Sequence, residues 1–373
     1  MTKLAYILGI TVCSVPRLQR PHFYERHYFY QLTQAGRKVG LAVVIFDPRD
    51  INWLERTVHA WSVTSSKQWI KQKFRLPSLI YDRCYYGSAQ EYLRYKPYVQ
   101  RLAKDPQIRL LGKPLQGKYQ TYQILAANKE IAAFLPETRE YQTGSTLVEM
   151  LQTYKAVCLK PNGGSHGRGV IAIESKNHIW RIRGRTLQNI PFQKQFSDLN
   201  QVRLFIQRLI GRTRYVIQPY LSLTTSDGSP FDLRVLLQKN AHKEWQKTGV
   251  AIRIGNPISI TSNLHGGGRA KCWEKFLQEH LPSSLHESIV NQLHQCTTLV
   301  PKHLEEYHGS LVELGLDLGI DQQGNVWILE ANSKPGRSVF VRTQQLKTHQ
   351  DAINQPIYYA RALLRETKEV HVG

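Results

Sequence analysis

The chain has 373 residues, enough for two or three domains around a large core. It is 41% hydrophobic and 10% aromatic, which excludes a disordered chain, and its five scattered cysteines lack any CxxC pair, which argues against a disulfide framework or a cysteine zinc site and fits a reducing compartment. Fifty basic residues against 28 acidic ones leave a net charge of +22 that attracts polyanions; with no lysine–arginine tract, zinc finger or RNA-binding signature, a basic surface with nonspecific affinity is expected rather than a nucleic-acid function.

The start, "LAYILGITV", reads as a first buried strand rather than a short signal peptide, because it is β-branched and no small-x-small cleavage site follows. "FYERHYFYQLTQAGRK" has helical spacing, with Gly36 and Gly40 at its exit, and "GLAVVIF" and "LPSLIYDR" read as further strands. "SAQEYLRYKPYVQRLAK" reads as a helix interrupted by Pro97. Strand–helix–strand order predicts a parallel sheet over residues 1–115. From "TYQILAANKEIAAFL" onward the pattern changes: a helix carrying Lys129, a short helix "TLVEMLQTY", then the antiparallel strands "AVCLK", "VIAIES" and "HIWRIR". "SDLNQVRLFIQRLI" is an amphipathic helix with Ser197 as its N-cap, and "RYVIQPY", "FDLRVLLQK", "VAIRIG" and "ISI" read as strands. A helix near 283–306 and the strands "SLVELGLDLGI" and "NVWILEAN" follow, and the basic tail reads as a packed terminal helix. No apolar run is long enough to span a bilayer, so a soluble intracellular protein is expected.

Two stretches carry chemistry. "LKPNGGSHGRGV" sets Lys160 ahead of Gly163, Gly164, Ser165, Gly167 and Gly169. It is neither a Walker A loop nor a dinucleotide fingerprint, because a strand follows it where those motifs need a helix. A glycine-rich hairpin that cradles phosphate oxygens with backbone N–H groups remains, against the plainer reading of a mobile hairpin tip. In "LVELGLDLGIDQQGNVWILEAN", a two-residue turn at Gln322–Gln323 or Gln323–Gly324 sets Asp317 on one face with Glu330 and Asn332, and Leu316, Leu318, Trp327 and Leu329 on the other; a three-residue turn would spoil both faces. Three oxygen donors, two of them anionic, suit magnesium better than zinc. On "FDLRVLLQK", Arg234 is placed to clamp a phosphate with Asp232 orienting it, and Arg253 is a similar cation. Asn263 heads a second glycine-rich segment, Arg337 follows the metal strand toward an anionic substrate, and lone histidines such as His166 and His265 prove little.

These pieces, in this order, resemble an ATP-grasp fold. More narrowly, the chain is similar to the YheC/YheD endospore coat-associated family, through "LPSLIYDRC", "NKEIAAFLPET", "LKPNGGSHGRGV", "YVIQPY", "FDLRVLLQKN", "TGVAIRIG", "SNLHGGG" and "ELGLDLGIDQQGNVWILEANSKPGRS". The resemblance implies an α/β N-terminal pre-ATP-grasp domain (1–115), then α+β grasp subdomains over 116–215 and 216–373 that clasp ATP. It implies Lys129 and Lys160 at the nucleotide phosphates, with Lys160 also reaching toward the adenine, and Gly163 to Gly169 closing over the phosphates. Gln218 would lie by the adenine. Asp317, Glu330 and Asn332 would hold Mg2+, with Arg234, Arg253 and Asn263 around the reaction centre. Relatives tend to carry an aromatic residue after the first lysine, whereas Glu130 follows Lys129 here. The expected function is ATP- and Mg-dependent ligation of a carboxylate to an amine or thiol through an acyl phosphate, in the cytoplasm or at the spore, on an acidic peptide or polymer. The alternative is a non-catalytic spore-coat protein on a nucleotide-binding scaffold.

Overall fold

The computed structural model describes residues 6–13, 21–164, 167–257, 260, 262 and 267–369. The first unit contains β1 (Tyr6–Thr11), α1 (Arg26–Lys38), β2 (Leu41–Phe46), β3 (Ile51–Asn52), β4 (Thr57–Val63), β5 (Trp69–Arg75), β6 (Leu79–Asp82), α2 (Ala89–Lys104) and β7 (Arg109–Leu111). Its seven-stranded sheet runs β3-β4-β2-β1-β6-β7, with β5 on β4. The expected parallel pairing is there, β1 beside both β2 and β6, because a helix links β1 to β2 and covers the sheet. The meander β3–β5 was not anticipated: β5 is mostly exposed, so its alternation is polar and weak. Helix α2 passes through Pro97 without a break, anchored by buried Tyr95 and Leu102 on either side.

The middle of the chain forms α3 (Lys118–Ala126), α4 (Lys129–Ala132), β8 (Arg139–Tyr141), α5 (Gly144–Tyr154), β9 (Ala156–Pro161), β10 (Ile171–Lys176), β11 (Ile179–Arg185), β12 (Pro191–Phe196), α6 (Leu199–Ile210) and β13 (Tyr215–Pro219). The six-stranded sheet β12-β11-β10-β9-β13-β8 is antiparallel and packs one face on α5 and α6 through Val157, Leu159, Ile171, Ile173 and Ile182. The N-cap of α6 is Asp198, whose carboxylate accepts from Gln201 N, and not Ser197, one residue too early. Strand β13 belongs to this sheet, which therefore runs past residue 215. In contrast, Leu125, Ile131 and Phe134 on and after α3 and α4 bury themselves in the core of the third unit.

That unit comprises β14 (Phe231–Lys239), β15 (Trp245–Ile254), β16 (Arg269–Cys272), α7 (Trp273–His280), α8 (Ser283–His308), β17 (Glu313–Ile320), β18 (Val326–Asn332), α9 (Ser338–Arg342) and α10 (Leu346–Glu369). Its sheet has the order β16-β15-β14-β17-β18. The expected strand "ISI" falls largely outside the described residues. One face packs on α7 and α8; the other carries the polar residues of β14, β17 and β18. The terminal helix α10 crosses back to the first unit, where Ile353, Ile357 and Leu363 join Leu8, Ile10 and Leu32 in one core.

A buried polar network fastens the first unit to the third. Glu313 is fully buried at the start of β17. Its Oε1 accepts from Arg83 Nη1 at 2.8 Å and Tyr81 Oη at 2.5 Å, and its Oε2 accepts from Gln238 Nε2 at 2.9 Å and from Arg337. Burial alone would raise the Glu313 carboxyl, but the Arg337 and Arg83 guanidinia outweigh it and hold the pKa below the usual carboxylate value. Removing one partner of such a set leaves uncompensated buried charge. Glu313→Gln is expected to cost about 3–5 kcal/mol in urea unfolding at neutral pH. A carboxyl with a lowered folded pKa stabilises above its unfolded pKa and loses that contribution as pH falls through the folded value, so the penalty should shrink as the pH is taken below the ordinary glutamate value and toward the lower folded one.

Candidate active site

The polar face of the third sheet is built by register. Arg234 on β14 lies opposite Asp317 on β17, and Asp317 lies opposite Glu330 on β18, while Asn332 pairs Gly315. Directly paired and alternate residues share a face, so Asp317, Glu330 and Asn332 point to one side as expected. The route differs from the expected two-residue turn. Asp321 N donates to Asn325 O and Gly324 N to Asp321 O, leaving the three-residue turn Gln322–Gln323–Gly324 with Gly324 at φ +82°. Near that turn Leu318 pairs Ile328 and Ile320 pairs Val326, so Val326 and Ile328, not Trp327 and Leu329, fill the core. A bulge then adds Leu329 on β18 and flips the register, which restores Glu330 to the Asp317 side.

Every carboxylate on this face meets a cation. Asp317 Oδ1 is 2.7 Å from Arg234 Nε, a contact too poorly aligned to count as a hydrogen bond, while Oδ2 accepts from Arg234 Nη2 at 3.2 Å. Arg253 Nη2 stands 2.8 Å from the same Oδ2. Burial would raise the Asp317 carboxyl, but Arg234 and Arg253 hold it below its usual value. Asp232 does not orient Arg234: it grips Arg253 bidentately at 2.6 and 2.7 Å and also accepts from Ser262, because its register partner is Arg253. The bare Gly315 lets the segment after β18 lie on this face; a Cβ there would meet Pro335 Cβ at 2.8 Å.

Opposite lies the glycine hairpin between β9 and β10, antiparallel as expected, with Gly164, Gly167 and Gly169 at positive φ. A cleft of about 930 Å3 runs between the two sheets. Lys160, Gly163, Gly164, Gly167 and Gln218 line it together with Arg234, Arg253, Asp317, Glu330 and Asn332. Gly169 sits behind it, close against Pro161 and Tyr215, and the Gln218 amide donates to Thr138 Oγ1 at 2.7 Å. Ser165 and Asn263, with His166 and His265, lie outside the described residues. Lys129 is exposed on the one-turn helix α4 and is absent from the cleft lining.

Lys118, and not Lys129, joins Lys160 in the cleft lining. Its Nζ is 2.9 Å from Glu330 Oε1 and donates to Gly164 O at 3.2 Å, so one ammonium joins the carboxylate strand to the glycine hairpin. Asn162 fixes the start of its helix: its O accepts from Lys118 N and its Oδ1 from Tyr119 N, both at 2.8 Å. Sequence reasoning passed over it, although Gly117-Lys118-Tyr119 opens a helix with an aromatic residue directly after the lysine.

The donor set fits a hard divalent ion. Glu330 and Asn332, two residues apart on β18, both line the cleft and are oxygen-donor residues, and only Oε1 of Glu330 is engaged by Lys118. Among the described residues no group of three or more His, Cys, Asp or Glu side chains is gathered, so an ion here would complete its shell from outside the protein.

The model of the YheC/D-like ATP-grasp family matches residues 107–363. The endospore coat-associated protein YheC of Bacillus subtilis (strain 168) is 32% identical over 87% of this chain and 88% of its own length. YheD of the same organism is 29% identical over 90% of this chain and 72% of its own length. Among solved structures, D-cycloserine synthetase DcsG is similar with a TM-score of 0.54 at 13% identity, covering 96% of this chain and 99% of that one. The ATP-grasp ligase PsnB, complexed with precursor peptide PsnA2 and AMPPNP, has a TM-score of 0.50 at 14% identity, covering 93% and 98%. These structural likenesses show the fold. Among the described residues no helix is long and apolar enough to cross a membrane.

The two lysines separate cleanly by experiment. Lys118→Ala should weaken ATP binding by about tenfold or more in calorimetry, since a charge-assisted contact is lost, while Lys129→Ala should leave it within about twofold.

Proposed function

The chain belongs to the YheC/D-like ATP-grasp family, and from that premise we propose that it is an ATP- and Mg-dependent ligase joining a carboxylate to an amine or thiol. The observation that carries the proposal is Lys118, set between Glu330 and Gly164, where nucleotide phosphates would enter between the carboxylate face and the glycine hairpin. The adenine would lie toward Lys160 and Gln218, and Gly163, Gly164 and Gly167 would offer backbone N–H groups to the phosphates. Asp317, Glu330 and Asn332 would hold Mg2+, which would supply charge neutralisation at the phosphate oxygens.

In the proposed reaction a substrate carboxylate oxygen attacks the γ-phosphorus of ATP. The bond to the bridging oxygen breaks, giving ADP and an acyl phosphate. The amine or thiol then attacks the acyl carbon, phosphate leaves with the C–O bonding pair, and the nucleophile's proton passes to solvent. Arg234 and Arg253, fixed by Asp317 and Asp232, would bear on the charge of the transferring group, so the protein's share is positioning and electrostatics. The relatives' names place YheC and YheD at the endospore coat, and the same association is proposed here.

A second reading keeps the nucleotide-binding scaffold but no turnover, as a coat protein. The compensation of Asp317 and Glu330 by resident cations favours it, since the face needs no ion to be stable. Calorimetry with ATP decides first: binding should require magnesium and weaken about tenfold or more in Glu330→Gln. Binding that ignores magnesium would overturn the metal assignment. In a substrate screen, Glu330→Gln and Lys160→Ala should each lower ADP release by about a hundredfold or more. ATP binding without ADP release on any carboxylate–amine pair would move the assignment to the coat-protein reading.

A further inference from the structure

The cleft does not end at the carboxylate face. Past Asn332 it continues over residues 333–338 into an arm walled by α1, Tyr85, α9 and the first turn of α10. Nothing in the nucleotide reading uses this arm.

Its unpaired charge among the described residues is positive. His27, Arg342 and His349 line it, with Lys334 and Arg337 beneath. The one carboxylate in this part of the lining, Glu25, is held from behind by Arg83, at 3.2 Å from Nε and 2.6 Å from Nη2. Lys334 pairs Asp82 at 2.9 Å and Arg337 pairs Glu313, both away from the cleft. Arg342 has no ion-pair partner among the described residues and is exposed to the arm. His349 senses the imbalance: burial, then the charges of Arg337 and His27, all push its pKa down, and no carboxylate offsets them.

Two further features suit a ligand there. Tyr28 lies against Arg337, whose guanidinium carbon is 4.0 Å from the ring centroid, and its buried hydroxyl has no hydrogen-bond partner. Beside it Tyr24 is 66% exposed and packs edge-on against Tyr85 at 5.4 Å; the Tyr85 hydroxyl is taken up by Lys334 O and Arg83, so the pair offers aromatic surface and the Tyr24 hydroxyl.

We propose that this arm binds an acidic peptide segment, a run of Asp or Glu side chains, with Arg342 pairing its carboxylates and the rings of His27 and His349 offering N–H donors to them. The proposal rests on the ligase reading and names the substrate class of the same cleft. A ligase that activates carboxylates must admit an anion that carries them, which a nucleic acid does not. The chain's net charge of +22 steers such a segment toward the protein.

The test is fluorescence anisotropy of a labelled hexaglutamate peptide against the full chain with Mg–ATP present. Saturable binding is expected, weakened about tenfold or more by Arg342→Glu and less than about twofold by Lys302→Glu, an exposed residue of α8 outside the cleft. Cooperative thermal unfolding shows that each variant folds, and His27→Ala serves as the second arm variant. Equal losses from Arg342→Glu and Lys302→Glu, or equal displacement by a single-stranded oligonucleotide of the same charge, would mark general surface attraction and overturn the proposal. Absence of peptide binding by a protein that binds Mg–ATP overturns it too and leaves the ligase reading standing. Arm-dependent peptide binding by a protein that binds no ATP supports the arm and sinks the ligase reading instead.

Discussion

Strand β17 is buried along its whole length, and its alternate residues put three different demands on one face. Glu313 must satisfy a charge in the interior, Gly315 must leave space for the chain after β18, and Asp317 must open into the cleft. The strand can meet all three because β14 on one side and β18 on the other bring partners into register: Gln238 opposite Glu313, Arg234 opposite Asp317, Glu330 across from it. A slip of one residue would turn Glu313 and Asp317 into the leucine core and Leu314 and Leu316 into the cleft. The register of this strand therefore fixes the docking of the first unit and the composition of the site together.

The carboxylate face is close to neutral as it stands, with Lys160 a further cation across the cleft. Asp232, Asp317 and Glu330 carry three negative charges against Arg234, Arg253 and Lys118. Such a balance explains how two facing carboxylates persist without mutual repulsion opening the hairpin. It also bears on what can enter. A nucleotide triphosphate alone would add several unpaired negative charges to a partly dry cleft, where each is costly, whereas one that brings a divalent cation adds far less. Lys118, bonded at once to a carboxylate of one sheet and a carbonyl of the other unit's hairpin, is the group whose partners would change most when phosphate arrives.

The cleft has two characters along its length. At the glycine hairpin its walls come from the second and third units, with Val216 opposite Lys160 in register and Gln218 and Ile328 also in the lining. At the far end they come from the first unit and the C-terminal helices, which meet through the core of Ile353, Ile357 and Leu32. The Glu313 network lies directly beneath that junction, so the arm's positive groups are positioned by contacts that also hold the units together. Stability and the shape of the arm are coupled here through shared arginines.

Much of this was legible in the sequence. Alternation in "LVELGLDLGI" and "NVWILEAN" marked a hairpin with carboxylates on one face, and glycines after Lys160 between two β-branched runs marked a glycine-rich hairpin, because side-chain period and backbone freedom are local properties. Local patterning also gave the parallel first sheet and the amphipathic helix over 199–210. The tertiary structure decided what patterning does not encode. A bulge at Leu329, set by packing of Val326 and Ile328 against α8, corrected the register that a three-residue turn would have spoiled. Asp232 chose Arg253 over Arg234 because pairing of β14 with β15, not spacing along β14, sets which charges meet. Lys118 rather than Lys129 reached the cleft because Asn162, far along the chain, pins the start of α3 to the glycine hairpin. Sequence by itself determined which residue types share a strand face; only the folded chain decided which faces confront each other, since that choice depends on contacts between segments hundreds of residues apart.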